Sequence, residues 1–140
     1  MVPHRPLVLL LEDEPLIGFD VEQRLRYFGF RVSGPLRSGS DALEWVGENH
    51  ADVVVLDIEL LDGECSRVAE TLFSRKVPFV VHTAFTKSDA DHAPIFDEGL
   101  WVGKLSLPME LVYAVRTSLS AHQSGRCIGR PGQVEAVPNK

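Results

Sequence analysis

Residues 51–64 read ADVVVLDIELLDGE and place Asp57 directly after the apolar run Val53–Leu56. An aliphatic run of this length is typical of a strand that is covered on both faces of a sheet. Burying a carboxylate is costly unless the group is paired, protonated or bound to a metal ion. We therefore expect Asp57 to have a charged partner and a chemical role.

Similar apolar runs recur along the chain and alternate with helical patterns. Strands are predicted at residues 7–11, 30–34, 53–56, 79–81 and 100–102. Helical spacing of apolar residues follows Pro15 and Pro108 and recurs at residues 42–46 and 65–73. The segment before the last strand is polar and contains Pro94, which predicts a short or irregular helix. This alternation indicates an α/β protein, a doubly wound parallel sheet built from five β-α units.

Length and composition suit one domain. The chain has 140 residues, of which 44% are hydrophobic, enough for an ordinary core. We assign residues 1–123 to the domain. Residues 124–140, SGRCIGRPGQVEAVPNK, lack periodicity and are rich in glycine and proline, which predicts a disordered tail.

Charge and cysteine usage exclude several classes of function. A net charge of -6 argues against nucleic-acid binding, which normally needs a basic face. Cys65 and Cys127 are far apart and have no metal or redox spacing, and the histidines show no ligand spacing. The apolar stretch at residues 7–11 is too short for a signal peptide or a membrane span. We expect a cytoplasmic protein with neither a nucleic-acid nor a membrane partner.

Chemically active residues fall at the predicted strand ends. The acids Glu12, Asp13 and Glu14 follow the first strand, Asp57 the third, Thr83 the fourth and Lys104 the fifth. In open parallel sheets the functional site lies beyond these carboxyl ends. Acids after the first strand repel phosphate, whereas a nucleotide site needs a glycine-rich or hydroxyl-rich loop there. Nucleotide and flavin binding are therefore excluded.

Converging carboxylates repel one another unless one takes a proton or a cation lies among them. Oxygen ligands on a rigid scaffold suit Mg²⁺, and Asp57 beside Mg²⁺ can act as a nucleophile toward a phosphoryl group. Lys104 and Thr83 would then contact the transferred oxygens. Taken singly, the acids could be helix N-terminal charges and Asp57 a turn residue. The ordered set on one sheet edge favours a site.

Four motifs in this order resemble the receiver domain of two-component response regulators, over roughly residues 6–121. They are LLLEDEP, DVVVLDIELLDG, PFVVHTAF and WVGKLSLP. The resemblance implies a flavodoxin-like fold with strand order 2-1-3-4-5. It also implies phosphorylation of Asp57 by a sensor histidine kinase or a histidine phosphotransfer protein.

The resemblance further assigns roles within the site. It makes Asp13 and Asp57 metal ligands, with Glu12 acting through water and Glu59 contributing its backbone carbonyl. Lys104 matches the lysine of the family motif.

Two residues match the family's switch. Thr83 corresponds to the switch hydroxyl and Trp101, three residues before Lys104, to the switch aromatic.

The chain departs from the family pattern in three places. The loop DIELLDG is shortened and lacks the usual proline, which resembles some stand-alone receivers. Lys104 is followed by Leu105 instead of proline, and a cis bond without proline costs about 2.5 to 4 kcal/mol, so we expect this bond to be trans. The switch aromatic is tryptophan, where tyrosine or phenylalanine is usual.

The sequence thus predicts a stand-alone, Mg²⁺-dependent phosphoacceptor without an output domain, which acts by binding a partner or relaying the phosphoryl group. It would not be an enzyme beyond its own phosphorylation and autodephosphorylation. One alternative is a degenerate receiver that binds a partner without phosphorylation. Another is a Mg²⁺-dependent hydrolase with an aspartyl intermediate, in which Glu59 would serve as the second acid.

Overall fold

The computed structural model describes residues 5–84 and 91–123. The strands are β1 (Leu7–Leu11), β2 (Arg31–Leu36), β3 (Val53–Leu56), β4 (Glu59–Leu60), β5 (Gly63–Glu64), β6 (Phe79–Thr83) and β7 (Leu100–Gly103). The helices are α1 (Pro15–Tyr27), α2 (Gly39–Glu48), α3 (Ser66–Ser74) and α4 (Pro108–Gln123), with a 3₁₀-helix at Pro94–Glu98. The domain boundary at residue 123 stays a prediction, because the tail at residues 124–140 lies outside the described residues.

Five strands form one parallel sheet in the order β2-β1-β3-β6-β7. The predicted order 2-1-3-4-5 is confirmed, since β4 and β5 form a separate antiparallel pair. Leu11 of β1 aligns with Leu56 of β3, and Leu56 aligns with Val81 of β6. The residues after these strands therefore emerge at one edge of the sheet.

Both faces of the sheet are covered, as the continuous apolar runs predicted. Side chains alternate along each strand, so Leu9 and Leu11 pack on one face and Val8 and Leu10 on the other. The first face is covered by α2, α3 and the 3₁₀-helix, and the second by α1 and α4. None of the helices within the described ranges is long and apolar enough to cross a membrane.

Two details differ from the sequence prediction. The short hairpin of β4 and β5 was not predicted, because its two-residue strands give no readable alternation. The predicted strand at residues 30–34 extends to Leu36 in β2. Gly34 has φ of 100°, and a Cβ there would lie 2.5 Å from the carbonyl oxygen of Leu10, so the position requires glycine.

Two local predictions are confirmed. The segment before β7 contains a 3₁₀-helix that starts at Pro94, in agreement with the predicted short or irregular helix. Gly34–Pro35 has the only cis bond within the described residues, so the Lys104–Leu105 bond is trans.

Candidate functional site

Three carboxylates meet at the carboxyl edge of the sheet. One oxygen each from Glu12, Asp13 and Asp57 lies within 4.8 Å of the other two. The backbone fixes two of them, because the Glu12 amide donates to Leu36 at 2.9 Å and the Asp57 amide to Leu11 at 3.2 Å. Only 2% of Glu12 and 8% of Asp57 is exposed. Glu12, Asp13 and Asp57 therefore form a cluster in which Glu12 and Asp57 are buried and Asp13 is half-buried, whereas Glu14 is exposed.

Lys104 is the cation that faces this cluster. Its ammonium nitrogen lies 2.6 Å from Asp57 Oδ2 and 3.0 Å from Glu12 Oε1. Its backbone amide donates to the Thr83 carbonyl at 2.8 Å, which fixes the residue at the end of β7. Three carboxylates against one ammonium leave the cluster with an excess of negative charge when all are ionised.

Burial and pairing shift two pKa values in the cluster. Burial raises the pKa of Glu12, although the hydrogen bond and charge of Lys104 act in the opposite direction. Burial also disfavours the charged form of Lys104, but the hydrogen bonds and charges of Asp57 and Glu12 outweigh it and raise the pKa of the ammonium. The ion pair therefore keeps Lys104 charged.

The donor set fits a divalent cation. Carboxylate oxygens are hard ligands of the kind that Mg²⁺ takes. A divalent ion would offset the excess negative charge that one ammonium leaves, and it would favour the ionised form of Glu12 against burial. The residues therefore could hold Mg²⁺, with Glu12, Asp13 and Asp57 as its carboxylate ligands.

Thr83 and Glu59 are also predicted residues of the site. Thr83 is the last residue of β6, where it pairs with Gly103 of β7, and it is 1% exposed. Glu59 begins β4 with an exposed side chain and does not contribute a carboxylate to the cluster. The roles of the Thr83 hydroxyl and the Glu59 carbonyl stay predictions.

The shortened loop after Asp57 is a hairpin that closes on Asp57 itself. The Cys65 amide donates to the Ile58 carbonyl at 2.9 Å, and the Cys65 thiol donates to the Asp57 carbonyl at 3.1 Å. Burial, together with the charge of Asp57, raises the pKa of this thiol to about 12. No sequence pattern indicated this role of Cys65. The Asp62-Gly63 pair is a turn signal that could have indicated the hairpin.

Trp101 of β7 is held against the 3₁₀-helix. Its indole N–H donates to the Phe96 carbonyl at 2.9 Å, and its ring lies 4.8 Å from that of His92. His92 in turn lies 2.9 Å from Asp97. The predicted switch residue is thus partly buried, in a cluster of rings with His92 and Phe96.

A cavity of about 230 Å³ lies beside the site, between α1 and the start of α4. Lys104 and His82 line it. His82 is buried, and burial together with the Lys104 charge lowers its pKa to about 4. Large apolar side chains are exposed on α1, before α4 and in the first turn of α4: Leu16, Phe19, Leu105, Leu107 and Met109.

Comparison with known proteins is consistent with this site. The family model of the response regulator receiver domain matches residues 8–101. The transcriptional regulatory protein PdtaR of Mycobacterium tuberculosis is 34% identical over 89 residues, which cover 63% of this chain and 42% of PdtaR. The phyllosphere-induced regulator PhyR of Methylorubrum extorquens is 33% identical over 81 residues, covering 56% of this chain and 30% of PhyR. The matches therefore span less than half the length of these curated relatives.

The fold comparison agrees. The crystal structure of the response regulator PhyR from Brucella abortus superimposes with a TM-score of 0.72 at 26% identity. The match covers 87% of this chain and 51% of that one.

Proposed function

The chain belongs to the response regulator receiver domain family, and from this we propose that it is a Mg²⁺-dependent phosphoacceptor. In this proposal Asp57 takes a phosphoryl group from a sensor histidine kinase or a histidine phosphotransfer protein. The observation that carries the proposal is the pairing of buried Asp57 with Lys104 at 2.6 Å, within a cluster of three carboxylates. A buried nucleophile with its own cation and a metal-binding set suits phosphoryl transfer.

The transfer needs no other nucleophile. A carboxylate oxygen of Asp57 attacks the phosphorus of a phosphohistidine, an O–P bond forms, the N–P bond breaks, and the donor imidazole leaves. Mg²⁺ held by Glu12, Asp13 and Asp57 would neutralise charge on the phosphoryl oxygens. Lys104, already within hydrogen-bond distance of Asp57, can exchange that contact for a phosphoryl oxygen.

The exposed apolar surface beside the site suits the phosphodonor protein. Its residues lie on α1, before α4 and in the first turn of α4, and two of them, Leu16 and Leu107, line the cavity together with Lys104. Leu16 is 85% exposed and Leu105 is 97% exposed. A donor must bring its phosphohistidine to Asp57, so contacts next to Lys104 would hold it there. We assign this surface to the donor because large apolar groups gain most from burial by a partner.

Output would pass through Thr83 and Trp101 to a partner protein, or the phosphoryl group would be relayed further. The aspartyl phosphate adds about -1.5 to -2 charges, which can attract the Thr83 hydroxyl. A cytoplasmic location stays a prediction. So does the absence of enzyme activity beyond self-phosphorylation and autodephosphorylation.

The direct test is intact-mass analysis of the purified protein after incubation with acetyl phosphate and Mg²⁺. We expect one added phosphoryl group in the wild type and none in Asp57→Asn or after chelation of Mg²⁺. A small phosphate ester should show no turnover, whereas a hydrolase would release phosphate repeatedly. A wild-type protein that gains no phosphoryl group from acetyl phosphate or from phosphorylated kinase would favour the degenerate receiver.

A further inference from the structure

The hairpin after Asp57 is closed at its base by Cys65. Strands β4 and β5 pair Glu59 with Glu64 and Leu60 with Gly63. At the base, Cys65 bonds to the carbonyls of Asp57 and Ile58. A displacement of the hairpin is therefore transmitted to the backbone of Asp57.

The tip of the same hairpin is attached to the start of α2. Asp62 accepts hydrogen bonds from the Gly39 amide at 2.8 Å and the Ser40 amide at 3.0 Å, one on each carboxylate oxygen. The Leu61 amide donates to the Arg37 carbonyl at 3.0 Å. The two bonds to α2 lower the pKa of Asp62, so this side chain is an anion at neutral pH.

The start of α2 has a second, separate cap. The Ser38 hydroxyl accepts from the Asp41 amide at 3.1 Å, and the Ser38 carbonyl accepts from the Ala42 amide. Ser38 and Asp62 thus share the first amides of the helix. Asp62 caps the helix from the loop that follows the phosphoacceptor, whereas Ser38 caps it from the residue before the helix.

The junction of β2 and α2 also contacts the acidic loop after β1. The Arg37 guanidinium lies 3.3 Å and 3.4 Å from the Asp13 carbonyl through two of its nitrogens. Residues 37–40 therefore contact both loops that bear the cluster carboxylates, Asp13 on one and Asp57 at the base of the other.

We propose that Asp62 is a positioning residue for phosphorylation. By binding the start of α2 it holds the shortened loop in place, and this keeps Asp57 at the right position relative to Glu12 and Asp13. This inference rests on the proposed function. Buried Leu60 and Cys65 anchor the base of the hairpin, and the two charge-assisted bonds of Asp62 are the side-chain hydrogen bonds that attach its tip to α2. Asp62 touches neither the cluster nor the cavity in this arrangement.

The test compares Asp62→Ala with Ser38→Ala. Both remove a cap from α2, but only the first removes the side-chain bonds between α2 and the hairpin. In each variant the rate of phosphorylation by acetyl phosphate is measured across a range of Mg²⁺ concentrations, below the melting temperature found by circular dichroism. For Asp62→Ala we expect the Mg²⁺ concentration for half-maximal rate to rise by roughly tenfold, as for other groups that orient metal ligands.

Matched variants separate positioning from helix stability. Ser38→Ala should keep the wild-type Mg²⁺ dependence even though its melting temperature falls. Asp62→Asn keeps one acceptor oxygen for Gly39 and should lie between Asp62→Ala and the wild type. If Asp62→Ala does not fold, the comparison of Asp62→Asn with Ser38→Ala carries the test.

The outcomes distinguish the two proposals. Equal Mg²⁺ dependence in the folded Asp62 variants and Ser38→Ala, with a phosphorylated wild type, would overturn the inference and leave the proposed function intact. A wild type that takes no phosphoryl group would contradict the proposed function itself.

Discussion

The ammonium of Lys104 lies 2.6 Å from Asp57 Oδ2, and this ion pair joins the end of β7 to the end of β3 across β6. Because Glu12 shares the same ammonium at 3.0 Å, Lys104 is the counter-ion of two buried acids. Lys104 therefore already neutralises buried negative charge in the unphosphorylated protein.

Replacing Lys104 by methionine should destabilise the protein when Mg²⁺ is absent. The change leaves two buried carboxylates without their cation, and we expect a loss of about 3 kcal/mol, the lower end of the cost of breaking a buried pair. Added Mg²⁺ should recover much of the loss, because it supplies the missing positive charge. The measurement is urea unfolding with and without Mg²⁺.

The control for that experiment is Lys76→Met, which removes an exposed lysine and should change the free energy of unfolding little. A Lys104→Met protein as stable as Lys76→Met without Mg²⁺ would show that the ion pair contributes nothing net to the fold.

Stability should fall as the pH drops from about 6.5 to about 4, partly because of His82. Burial and the nearby Lys104 charge lower the folded-state pKa of His82 from 6.5 to about 4. In this window the unfolded chain binds a proton that the native protein does not, so acid favours unfolding. The shift corresponds to roughly 3 kcal/mol at most.

His82→Gln isolates this contribution, because it stays neutral at every pH while the acids are unchanged. We expect its free energy of unfolding to fall less than that of the wild type between pH 6.5 and 4. Parallel pH profiles for the two proteins would mean that His82 takes its proton in the native state as easily as in the unfolded chain.

Much of the site was predictable because its residues sit at places that sequence patterns mark. The ends of continuous aliphatic runs located Glu12, Asp57 and Thr83, and the parallel topology brings such ends to one edge. The chemistry of the residues predicted Asp57 as a nucleophile beside Mg²⁺, whereas strand order and the switch roles of Thr83 and Trp101 came from the family resemblance.

The attachment of the hairpin was not predictable in the same way. Asp62 lies 23 residues from Gly39, and no periodicity links a turn acid to a distant helix start. The Cys65 thiol bond was missed for a related reason: a single buried cysteine looks like any other small core residue.

Cys65 should resist thiol reagents in the native protein. Its side chain is buried, and burial raises its pKa from 9.0 to about 12, which lowers the thiolate fraction on the order of a thousandfold. In a Cys127→Ser background, labelling at pH 8 should proceed only in urea, at the rate of unfolding. Cys65→Ser in the same background is the blank, and rapid stoichiometric labelling without urea would show that the thiol is accessible.

Trp101 provides an optical test of the switch. The chain has two tryptophans, so in a Trp45→Phe background Trp101 is the only one. In the described state its indole donates to the Phe96 carbonyl and lies against His92. If phosphorylation draws Thr83 toward Asp57 and the ring turns inward, this bond breaks and the surroundings of the indole change, as expected for a two-state switch. Emission should therefore shift when Mg²⁺ and acetyl phosphate are added together, but not with either alone and not in Asp57→Asn. An unchanged spectrum in protein that mass analysis shows to be phosphorylated would leave Trp101 as a packing residue and require the readout to run through another surface.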